Sequence, residues 1–409
     1  MQYRTMPESR RPLSILGFGV MRLPVRMGRI DKDASDRLLE KALEGGVNYL
    51  DTAYPYLNGQ SEPYLGKFLS ERKLRSTVAL ATKLPHWITP KRADMEKMLS
   101  RQLSRLQTDH IDYYLIHNIT GSTWNSLVEK DVREFLAAEK KSGRILNAGF
   151  SWHGTPEDFL RVVDEGEWDF CQIQYNLLDE RRQAGTAGLE YAFSRNLGVI
   201  VMEPLRGGRL VSSIPSAARE IWQEKPERSP ASWALGWVWN RREVTTLLSG
   251  FSEQKHLEET LSIADKARPD MFSAAELQFI GRVRDACKAA GAVDCTSCRY
   301  CMPCPFGVSI PEVFDWYNEW KTIRHNMHQR LFYLSTVGSV LSGRSGLAMN
   351  CTSCGACLKK CPQSLPIPDL MRTVSAEYEG SLARFAEFLG RIRHRKKSHK
   401  NKKGASSNS

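Results

Sequence analysis

The chain has 409 residues, of which 41% are hydrophobic and 25% charged, so it can bury a core and is not a disordered protein. Its length suggests two or three domains. Its net charge of +12 is concentrated at one end, because residues 391–403 hold eight Lys or Arg and no acid. Without them the net charge is about +4, which gives no reason to expect DNA as a partner.

The two ends of the chain carry different signals. Residues 390–409 form a basic tail that we expect to be disordered and solvated; an acidic protein, RNA or anionic lipid is the alternative partner for it. At the N-terminus no small-residue cleavage site follows the first apolar run, so no signal peptide is predicted. No apolar stretch is long enough to span a bilayer, and we expect a cytoplasmic protein.

Between residues 12 and 265, short β-branched and aromatic runs alternate with longer amphipathic segments. The runs that predict strands are Ile15–Leu23, Val47–Ala53, Val78–Lys83, Ile111–His117, Ile145–Trp152, Phe170–Tyr175, Gly198–Glu203 and Val244–Gly250. The segments that predict helices are Asp33–Glu44, Arg92–Leu106, Asn125–Lys141, Pro156–Glu165 and Ser252–Lys266. Alternating units of this kind imply parallel strands.

Eight such units in about 250 residues predict a (β/α)8 TIM barrel over residues 12–270. The competing α/β architecture is a doubly wound open sheet. It would need a Gly-rich phosphate turn after the first strand. Gly17-Phe18-Gly19 is followed by Val-Met-Arg and does not match such a turn.

Eight of the ten cysteines lie in two groups near the C-terminus, while Cys171 and Cys287 stand alone. The first group is Cys295, Cys298, Cys301 and Cys304, followed by Pro305, and the second is Cys351, Cys354, Cys357 and Cys361, followed by Pro362. This spacing predicts two [4Fe-4S] clusters in a domain of residues 285–385, with Cys304 completing the second cluster and Cys361 the first. Zinc held by four thiolates is the alternative, although it typically uses two CxxC pairs separated by a loop.

The sequence around the cysteines is helical in period. Met271–Ala290 predicts a helix that leads into the first group, and Pro311–Gly343 is an aromatic-rich helical segment between the groups. This arrangement resembles the α-helical ferredoxin module of fumarate reductase iron-sulfur subunits. The resemblance implies a small, mainly α-helical iron-sulfur domain, whose clusters either carry single electrons or hold the domain together. The aromatic residues between the groups shield the clusters or mark a docking face for a redox partner.

Three segments of the predicted barrel carry a second resemblance. They are Tyr49-Leu-Asp51-Thr52-Ala53-Tyr-Pro-Tyr56, Ala81-Thr82-Lys83 and Ile111-Asp-Tyr-Tyr-Leu-Ile-His117. In order and spacing they resemble the catalytic segments of aldo-keto reductases, and the resemblance covers about residues 12–265. The residues that match the family's catalytic tetrad are Asp51, Tyr56, Lys83 and His117. Each lies at or just past the C-terminal end of a predicted strand, where barrel active sites are built.

These four residue types suit the reduction of a carbonyl group, which needs a hydride donor and a proton donor. A tyrosine, with an ordinary pKa of about 10, is a poor acid at neutral pH, and a nearby lysine cation lowers that pKa. Tyr56 is therefore the candidate proton donor. Asp51 would keep Lys83 charged and in place, and His117 would orient the carbonyl oxygen.

The resemblance also implies NADPH or NADH as a cofactor. Ser151 and Gln174 fall where the family binds the nicotinamide amide group, and Met202 stands where the family often has a stacking aromatic residue. The other residues expected to contact the cofactor are Pro204, Leu205, Arg206, Gly250, Ser252 and His256. Among them, Arg206 would approach a pyrophosphate, Gly250 and Ser252 belong to a segment that resembles the family's last phosphate segment, and Lys255 or His256 would meet a 2′-phosphate. Gly207-Gly208 either lets backbone approach a pyrophosphate or forms a flexible loop. Thr260 replaces the family's usual Asn, so the sequence does not choose between NADPH and NADH.

Three functions follow for the whole chain. The first is a nicotinamide-linked reductase of a small aldehyde or ketone, or the reverse alcohol oxidation, with auxiliary clusters. The second couples the barrel chemistry to electron transfer through the clusters and a redox protein partner, which needs a flavin or a radical to split the hydride's electron pair. The third is a non-catalytic iron-sulfur electron-transfer or regulatory protein, against which the complete tetrad argues.

Overall fold

The computed structural model describes residues 1–7, 9, 11–212, 214–290, 293–322, 327–338, 345–385 and 387. The chain divides into two compact units: residues 1–205 with 227–280, and residues 206–226 with the chain from Gly281 onward. The segment 206–226, which falls inside the predicted barrel domain, is thus grouped with the cysteine-rich part. The predicted basic tail 390–409 lies outside the described residues.

The first unit contains a closed barrel of eight parallel strands. In chain order the strands of the chain are β1 (Tyr3–Thr5), β2 (Pro12–Ser14), β3 (Leu16–Gly19), β4 (Val25–Arg26), β5 (Arg29–Ile30), β6 (Tyr49–Asp51), β7 (Ala79–Leu84), β8 (Ile111–Ile119), β9 (Ile145–Trp152), β10 (Phe170–Gln174), β11 (Gly198–Met202) and β12 (Val244–Ser249). The barrel consists of β3 and β6 to β12 in chain order, and β12 pairs with β3. β1–β2 and β4–β5 are separate antiparallel pairs. The predicted TIM barrel is confirmed.

Helices separate successive barrel strands, and their ends follow from the local sequence. The helices are α1 (Lys32–Glu44), α2 (Ser61–Glu71), α3 (Arg92–Leu106), α4 (Gly121–Val128), α5 (Val132–Lys141), α6 (Pro156–Glu165), α7 (Gly185–Ser194), α8 (Arg209–Ser212), α9 (Ser216–Gln223), α10 (Pro230–Trp239), α11 (Gln254–Lys266), α12 (Ala274–Ala289), α13 (Ile310–Thr322), α14 (Met327–Thr336) and α15 (Ile367–Val374). Thr155 and Ser229 cap α6 and α10 with their side chains, each before a proline in the first turn. No helix among the described residues is long and apolar enough to cross a membrane.

One predicted helix is two helices in the structure. The sequence predicted a single helix over Asn125–Lys141, but the structure has α4 and α5 separated at Asp131. Asp131 has a φ of 58°, in the left-handed region. A residue in that conformation breaks the run of right-handed helical residues, so the chain turns between the two helices.

The described part of the second unit is mainly α-helical, as predicted. Phe314, Tyr333, Met371 and Tyr378 lie in its buried core. A buried carboxylate, Glu379, accepts hydrogen bonds from the Tyr333 hydroxyl at 2.5 Å and from the backbone N–H of Ala348 at 2.7 Å. These bonds fix the short helical turn Ala348–Asn350, immediately before the second cysteine group, to the helical core.

Candidate functional site

A buried ion pair joins the ends of two adjacent barrel strands. Lys83, in β7, donates from Nζ to Asp51 Oδ1 at 2.5 Å and to the Thr52 carbonyl at 2.9 Å. Gln172, in β10, donates to the other Asp51 oxygen at 3.3 Å. Burial lowers the pKa of Lys83 and raises the pKa of Asp51, while the charge of each partner opposes both shifts. The contact therefore keeps a charge pair in a place where either charge alone would be costly.

Tyr56 lies beside this pair in a turn that follows β6. The turn Tyr56–Gly59 contains Leu57 and Asn58 at φ values of 52° and 56°. Lys83 Nζ lies 4.9 Å from the centre of the Tyr56 ring. The Tyr56 ring also meets His117 edge-on, with ring centres 5.9 Å apart. The structure thus brings Asp51, Lys83, Tyr56 and His117 into one chain of contacts.

His117 sits at an irregularity of the barrel. Ile116 pairs with Phe150 and Ile119 with Trp152, so β8 has one extra residue between these pairs. The next residue, Asn118, has a φ of 56°, and its backbone N–H donates to the Ser151 hydroxyl at 2.7 Å. A bulge of this kind redirects the side chains around it. Burial and the nearby Lys83 cation hold the pKa of His117 well below its usual range, so its imidazole is neutral at physiological pH.

A second buried network lies behind Lys83, and sequence reasoning missed it. Glu62, fully buried in α2, accepts from the Thr82 hydroxyl at 2.7 Å and from Gln102 at 2.8 Å, and its other oxygen lies 3.0 Å from Arg105 Nε. Gln102 also donates to the backbone carbonyl of Lys83 at 2.9 Å. The only sequence signal was the presence of polar residues on the core-facing sides of two amphipathic helices.

Arg105 extends this network to the Tyr56 turn. Its guanidinium donates to the Gly59 carbonyl and lies over the Tyr54 ring, 4.5 Å from the ring centre. The Glu62–Arg105 pair therefore connects the strand of Lys83 to the turn that carries Tyr56. The tetrad residues are held from behind as well as by their own contacts.

The predicted nicotinamide contacts lie at the ends of three consecutive strands. Ser151 and Gln174 are buried, and Met202 is half-buried at the end of β11. Gln174 donates to Asp179 at 2.7 Å and accepts from Gln183 at 3.2 Å. Hydroxyl and amide groups at such strand ends suit a carboxamide ligand, but these polar groups already have protein partners. Binding of a nicotinamide would exchange some of these hydrogen bonds for new ones.

The other predicted cofactor residues fall in two places. Pro204 and Leu205 follow β11 in the barrel unit, with Glu203 before them at a φ of 54°. Gly250 follows β12, where an added Cβ would lie 3.0 Å from the Cβ of Arg22. Ser252 and His256 are exposed. The helix that begins here, α11, is preceded by Glu253, whose carboxylate lies 3.1 Å from Lys255, so the two charges compensate each other.

Arg206 belongs to the second unit and is engaged there. Its guanidinium is buried and donates to Asp294 Oδ1 at 3.0 Å, one residue before the first cysteine group. The structure therefore groups Arg206 with the cysteine-rich region, in contrast to its predicted role at a cofactor pyrophosphate. Sequence reasoning did not predict this pair because the two residues lie 88 positions apart.

The eight grouped cysteines line two recesses in the second unit. The first recess is lined by Cys295, Cys298, Cys301 and Cys361. The second recess is lined by Cys301, Cys304, Cys351, Cys354 and Cys357. Each recess thus takes thiols from both sequence groups, and Cys301 lies between them. No three His, Cys, Asp or Glu side chains of the described residues could hold a single metal ion.

These thiols suit a metal cluster that binds several thiolates at once. Burial and the neighbouring Cys298, Cys295 and Cys361 raise the pKa of Cys301 to about 12. Burial likewise raises the pKa of Cys357, with Cys351 and Cys304 adding to the effect. Thiols crowded in this way lose their protons together when bound iron supplies the compensating charge. The donor set therefore fits iron-sulfur clusters.

Comparison with known proteins gives two family matches. The sequence profile described as "Aldo/keto reductase family" matches residues 15–275, and the profile described as "4Fe-4S dicluster domain" matches residues 294–365. Together they cover most of both units.

Individual relatives match the barrel part. "Uncharacterized oxidoreductase YqkF" of Bacillus subtilis is 24% identical over 299 residues, which are 66% of this chain and 92% of that protein. "L-galactose dehydrogenase" of Arabidopsis thaliana is 26% identical over 293 residues, 64% of this chain and 88% of that one. The solved holo structure of aldo-keto reductase AKR11C1 from Bacillus halodurans is 26% identical with a TM-score of 0.59, over 69% of this chain and 96% of that chain.

Proposed function

Because this chain belongs to the aldo/keto reductase family and carries a C-terminal 4Fe-4S dicluster domain, we propose that it reduces a small aldehyde or ketone, or oxidises the corresponding alcohol, with Tyr56 as the proton donor. The observation that carries the proposal is the buried Lys83–Asp51 contact of 2.5 Å beside the Tyr56 ring. This contact fixes the positive charge of Lys83 next to Tyr56, the one tyrosine among the four tetrad residues.

The roles of the four residues follow from their contacts. Negative charge develops on the phenol oxygen when Tyr56 gives its proton to the carbonyl oxygen, and the Lys83 ammonium nearby stabilises that charge. Asp51 keeps this ammonium in place and charged. The neutral His117 donates a hydrogen bond or orients the substrate oxygen without competing as an acid.

We further propose that NADPH or NADH binds at the ends of β9 to β12. When bound, it supplies the hydride that carbonyl reduction requires. Ser151 and Gln174 would meet its amide group, Met202 would pack on its ring, and backbone groups from Pro204 to Leu205 and near Gly250, Ser252 and His256 would meet its phosphates. Arg206 is the weakest of these assignments because Asp294 holds its guanidinium.

In the second unit we propose two [4Fe-4S] clusters. Cys295, Cys298, Cys301 and Cys361 would hold the first, and Cys304, Cys351, Cys354 and Cys357 the second. The support is that each recess is lined by thiols of both sequence groups. Because thiols held in such numbers survive in a reducing compartment, we place the protein in the cytoplasm.

A second role deserves equal testing: exchange of single electrons between the clusters and a protein partner. The observation that favours it is the exposure of Cys354 at the second recess, since a cluster held there would lie near the surface. Under this role, nicotinamide chemistry in the barrel would still need a group that splits an electron pair.

One experiment separates these roles. Anaerobically purified, cluster-loaded protein is titrated with NADPH and then with NADH, with and without a panel of small aldehydes, hydroxyketones and sugars. Carbonyl-dependent oxidation of the nicotinamide, with unchanged cluster absorption, is the expected result for the reductase. Bleaching of the clusters by the nicotinamide alone would show that the two redox systems exchange electrons. Absence of any nicotinamide oxidation across the panel, together with no nicotinamide binding, would contradict the reductase proposal.

A further inference from the structure

The rims of the two recesses differ in charge. At the first recess, Arg299 forms an ion pair with Glu312. Arg209, whose positive charge reaches Cys295, is paired with Asp315. Both cations are therefore compensated by carboxylates of the same unit. This rim presents little net charge to a partner.

At the second recess, Phe306 and Lys360 belong to the lining, and Leu358 and Lys359 directly precede Lys360 in the turn Leu358–Lys360; we call these four residues the lysine rim. All four side chains are exposed, Phe306 at 49% and Leu358 at 44%. Within the part of the chain that the structure describes, neither lysine contacts an acidic side chain. The described residues that line this recess include Lys360 and no Asp or Glu. The rim therefore combines exposed apolar surface with uncompensated positive charge.

The lysine rim lies directly beside the most accessible thiol of the recesses. Cys354 is exposed, whereas Cys301, shared with the first recess, is buried. The Leu358 side chain lies over Gly355, next to Cys354: a Cβ added at Gly355 would be 3.6 Å from Leu358 Cδ1. A partner that covered Phe306 and Leu358 would thus approach the second set of thiols more closely than the first.

We propose that the lysine rim is the docking face for an acidic single-electron carrier protein, an inference that rests on the electron-transfer role proposed above. A small apolar contact flanked by two positive charges suits the weak, short-lived complexes of electron carriers. Opposite charge on the carrier raises the rate of encounter. A cluster held by the thiols of the second recess would take up the one electron that the carrier gives up, and no bond would form or break.

The same chemistry argues against the other acidic partners. Nucleic acids are bound by proteins that neutralise a run of phosphates, on the order of six to ten contacts for tight binding. Stable binding to an anionic membrane also needs a larger cluster of basic residues, about four to eight. The rim offers two lysines next to a redox site, which fits a transient protein contact.

The test uses the full chain with both cluster sites loaded and a reduced flavodoxin, a small acidic flavin carrier, as the probe. Stopped-flow absorption gives the second-order rate of cluster reduction over a range of salt concentrations. We expect K359E/K360E to lower this rate about 10-fold or more at low salt and to flatten its salt dependence. The control K97E/K141E makes the same charge change at two exposed lysines of α3 and α5 and should stay within about twofold.

Two further measurements keep the result interpretable. Iron and sulfide content must match the unmodified protein, and K359Q/K360Q, which removes charge without reversing it, should show the same trend if charge reversal impedes loading. Flavodoxin without its flavin transfers no electron. Calorimetry should show that K359E/K360E binds this form more weakly than the unmodified protein does.

The outcomes are distinct. Equal rates and equal salt dependence in K359E/K360E, with the clusters still reduced by flavodoxin, would overturn the docking face and leave the electron-transfer role intact. Failure of flavodoxin to reduce clusters that dithionite reduces would remove the electron-transfer role itself. Loss of binding to RNA or to phosphatidylserine vesicles in K359E/K360E, with an unchanged carrier rate, would assign the lysines to another partner and also overturn the proposal.

Discussion

The barrel site and the cysteine-lined recesses are built in opposite ways. In the barrel, Asp51 and Lys83 project from strands whose position is set by hydrogen bonding and by a large apolar core around them. In the second unit the thiols are part of the core: Cys301 is buried in it, and Cys295, Cys304 and Cys357 pack against it. In the barrel, reactive side chains can therefore be replaced without loss of the core. In the second unit the reactive thiols are themselves part of the core, so their replacement also changes stability.

This difference teaches where a cofactor contributes to folding. The apolar cluster of the second unit is much smaller than that of the barrel, and a small core gains more from bound metal. We therefore expect the second unit to need its clusters to be stable, whereas the barrel should fold without a nicotinamide. Four predictions test this contrast, beginning with the largest expected effect.

Replacing Cys301 should break the second unit and spare the barrel. Because Cys301 lines both recesses, Cys301→Ala should abolish loading of the first recess, strongly reduce loading of the second, and remove the cooperative unfolding of this unit. Iron and sulfide analysis and calorimetry measure these effects. The barrel transition and nicotinamide binding should persist.

Cys287→Ala is the matched control. Cys287 lines neither recess, and burial raises the pKa of its thiol to about 11, as for an inert thiol. Its replacement should leave the iron content unchanged. If Cys287→Ala lost iron as Cys301→Ala does, or if Cys301→Ala kept its full iron content, the ligand assignment would be wrong.

Removing the Tyr56 hydroxyl should lower the catalytic activity of the barrel and leave its stability unchanged. Tyr56→Phe keeps the ring contacts with Lys83 and His117 but removes the proposed proton donor, so kcat for carbonyl reduction should fall about 10²- to 10⁴-fold. Nicotinamide affinity, cluster absorption and the barrel unfolding temperature should not change. Tyr64→Phe, which removes a hydroxyl bound to Asp36 on the outer helices, should retain kcat; similar rates in the two variants would contradict the assignment of Tyr56.

Replacing Glu62, in the buried network behind Lys83, tests whether the activity and the stability of the barrel can be changed separately. Glu62→Gln leaves the Arg105 cation without its buried counter-ion, which should lower the free energy of unfolding of the barrel by about 3 kcal/mol. Because Arg105 also holds the Tyr56 turn through Gly59, kcat should fall about 10-fold, with little change in KM.

Glu71→Gln provides the reference for that variant. Glu71 lies 3.6 Å from Lys67 in the same helix but is exposed, so its loss should cost no more than about 0.5 kcal/mol. Chemical denaturation of both variants compares them. A Glu62→Gln barrel as stable as the Glu71→Gln barrel would show that the buried pair has no structural role.

The same contrast explains what the sequence could predict. Buried parallel strands are short runs of β-branched and aromatic residues, so all eight barrel strands were predictable from local pattern. The 4Fe-4S domain was predictable from the cysteine spacing. The break at Asp131 and the bulge at His117–Asn118 depend on backbone conformations that local propensity does not encode. Pairs between distant positions, such as Glu62 with Arg105 and Arg206 with Asp294, arise only when the chain is folded.

The smallest predicted effect per residue is a pH dependence that belongs to the barrel. Burial lowers the pKa of both His86 and His153 to about 4, whereas the unfolded chain binds these protons near pH 6.5. The unfolded state therefore binds more protons between these values, and the stabilisation present above pH 6.5 is lost as the pH falls toward 4. Denaturation of the Cys301→Ala chain, in which only the barrel should unfold cooperatively, should show less stability at pH 5 than at pH 7, by about 2 kcal/mol for each of these histidines.

Replacing one of these histidines locates that effect. His153→Gln should remove its own share of the loss between pH 7 and pH 5, about 2 kcal/mol, and leave the shares of His86 and His117. His110→Gln, at a histidine that is one-third exposed on the surface, should leave the loss unchanged. An equal pH dependence in all three proteins would exclude His153 and assign the loss to the other buried histidines, His86 and His117, whose pKa burial also lowers. The carboxyl groups of Asp51 and Glu62 cannot cause this loss: burial raises their pKa, so the folded barrel binds more of their protons than the unfolded chain does and becomes more stable as the pH falls.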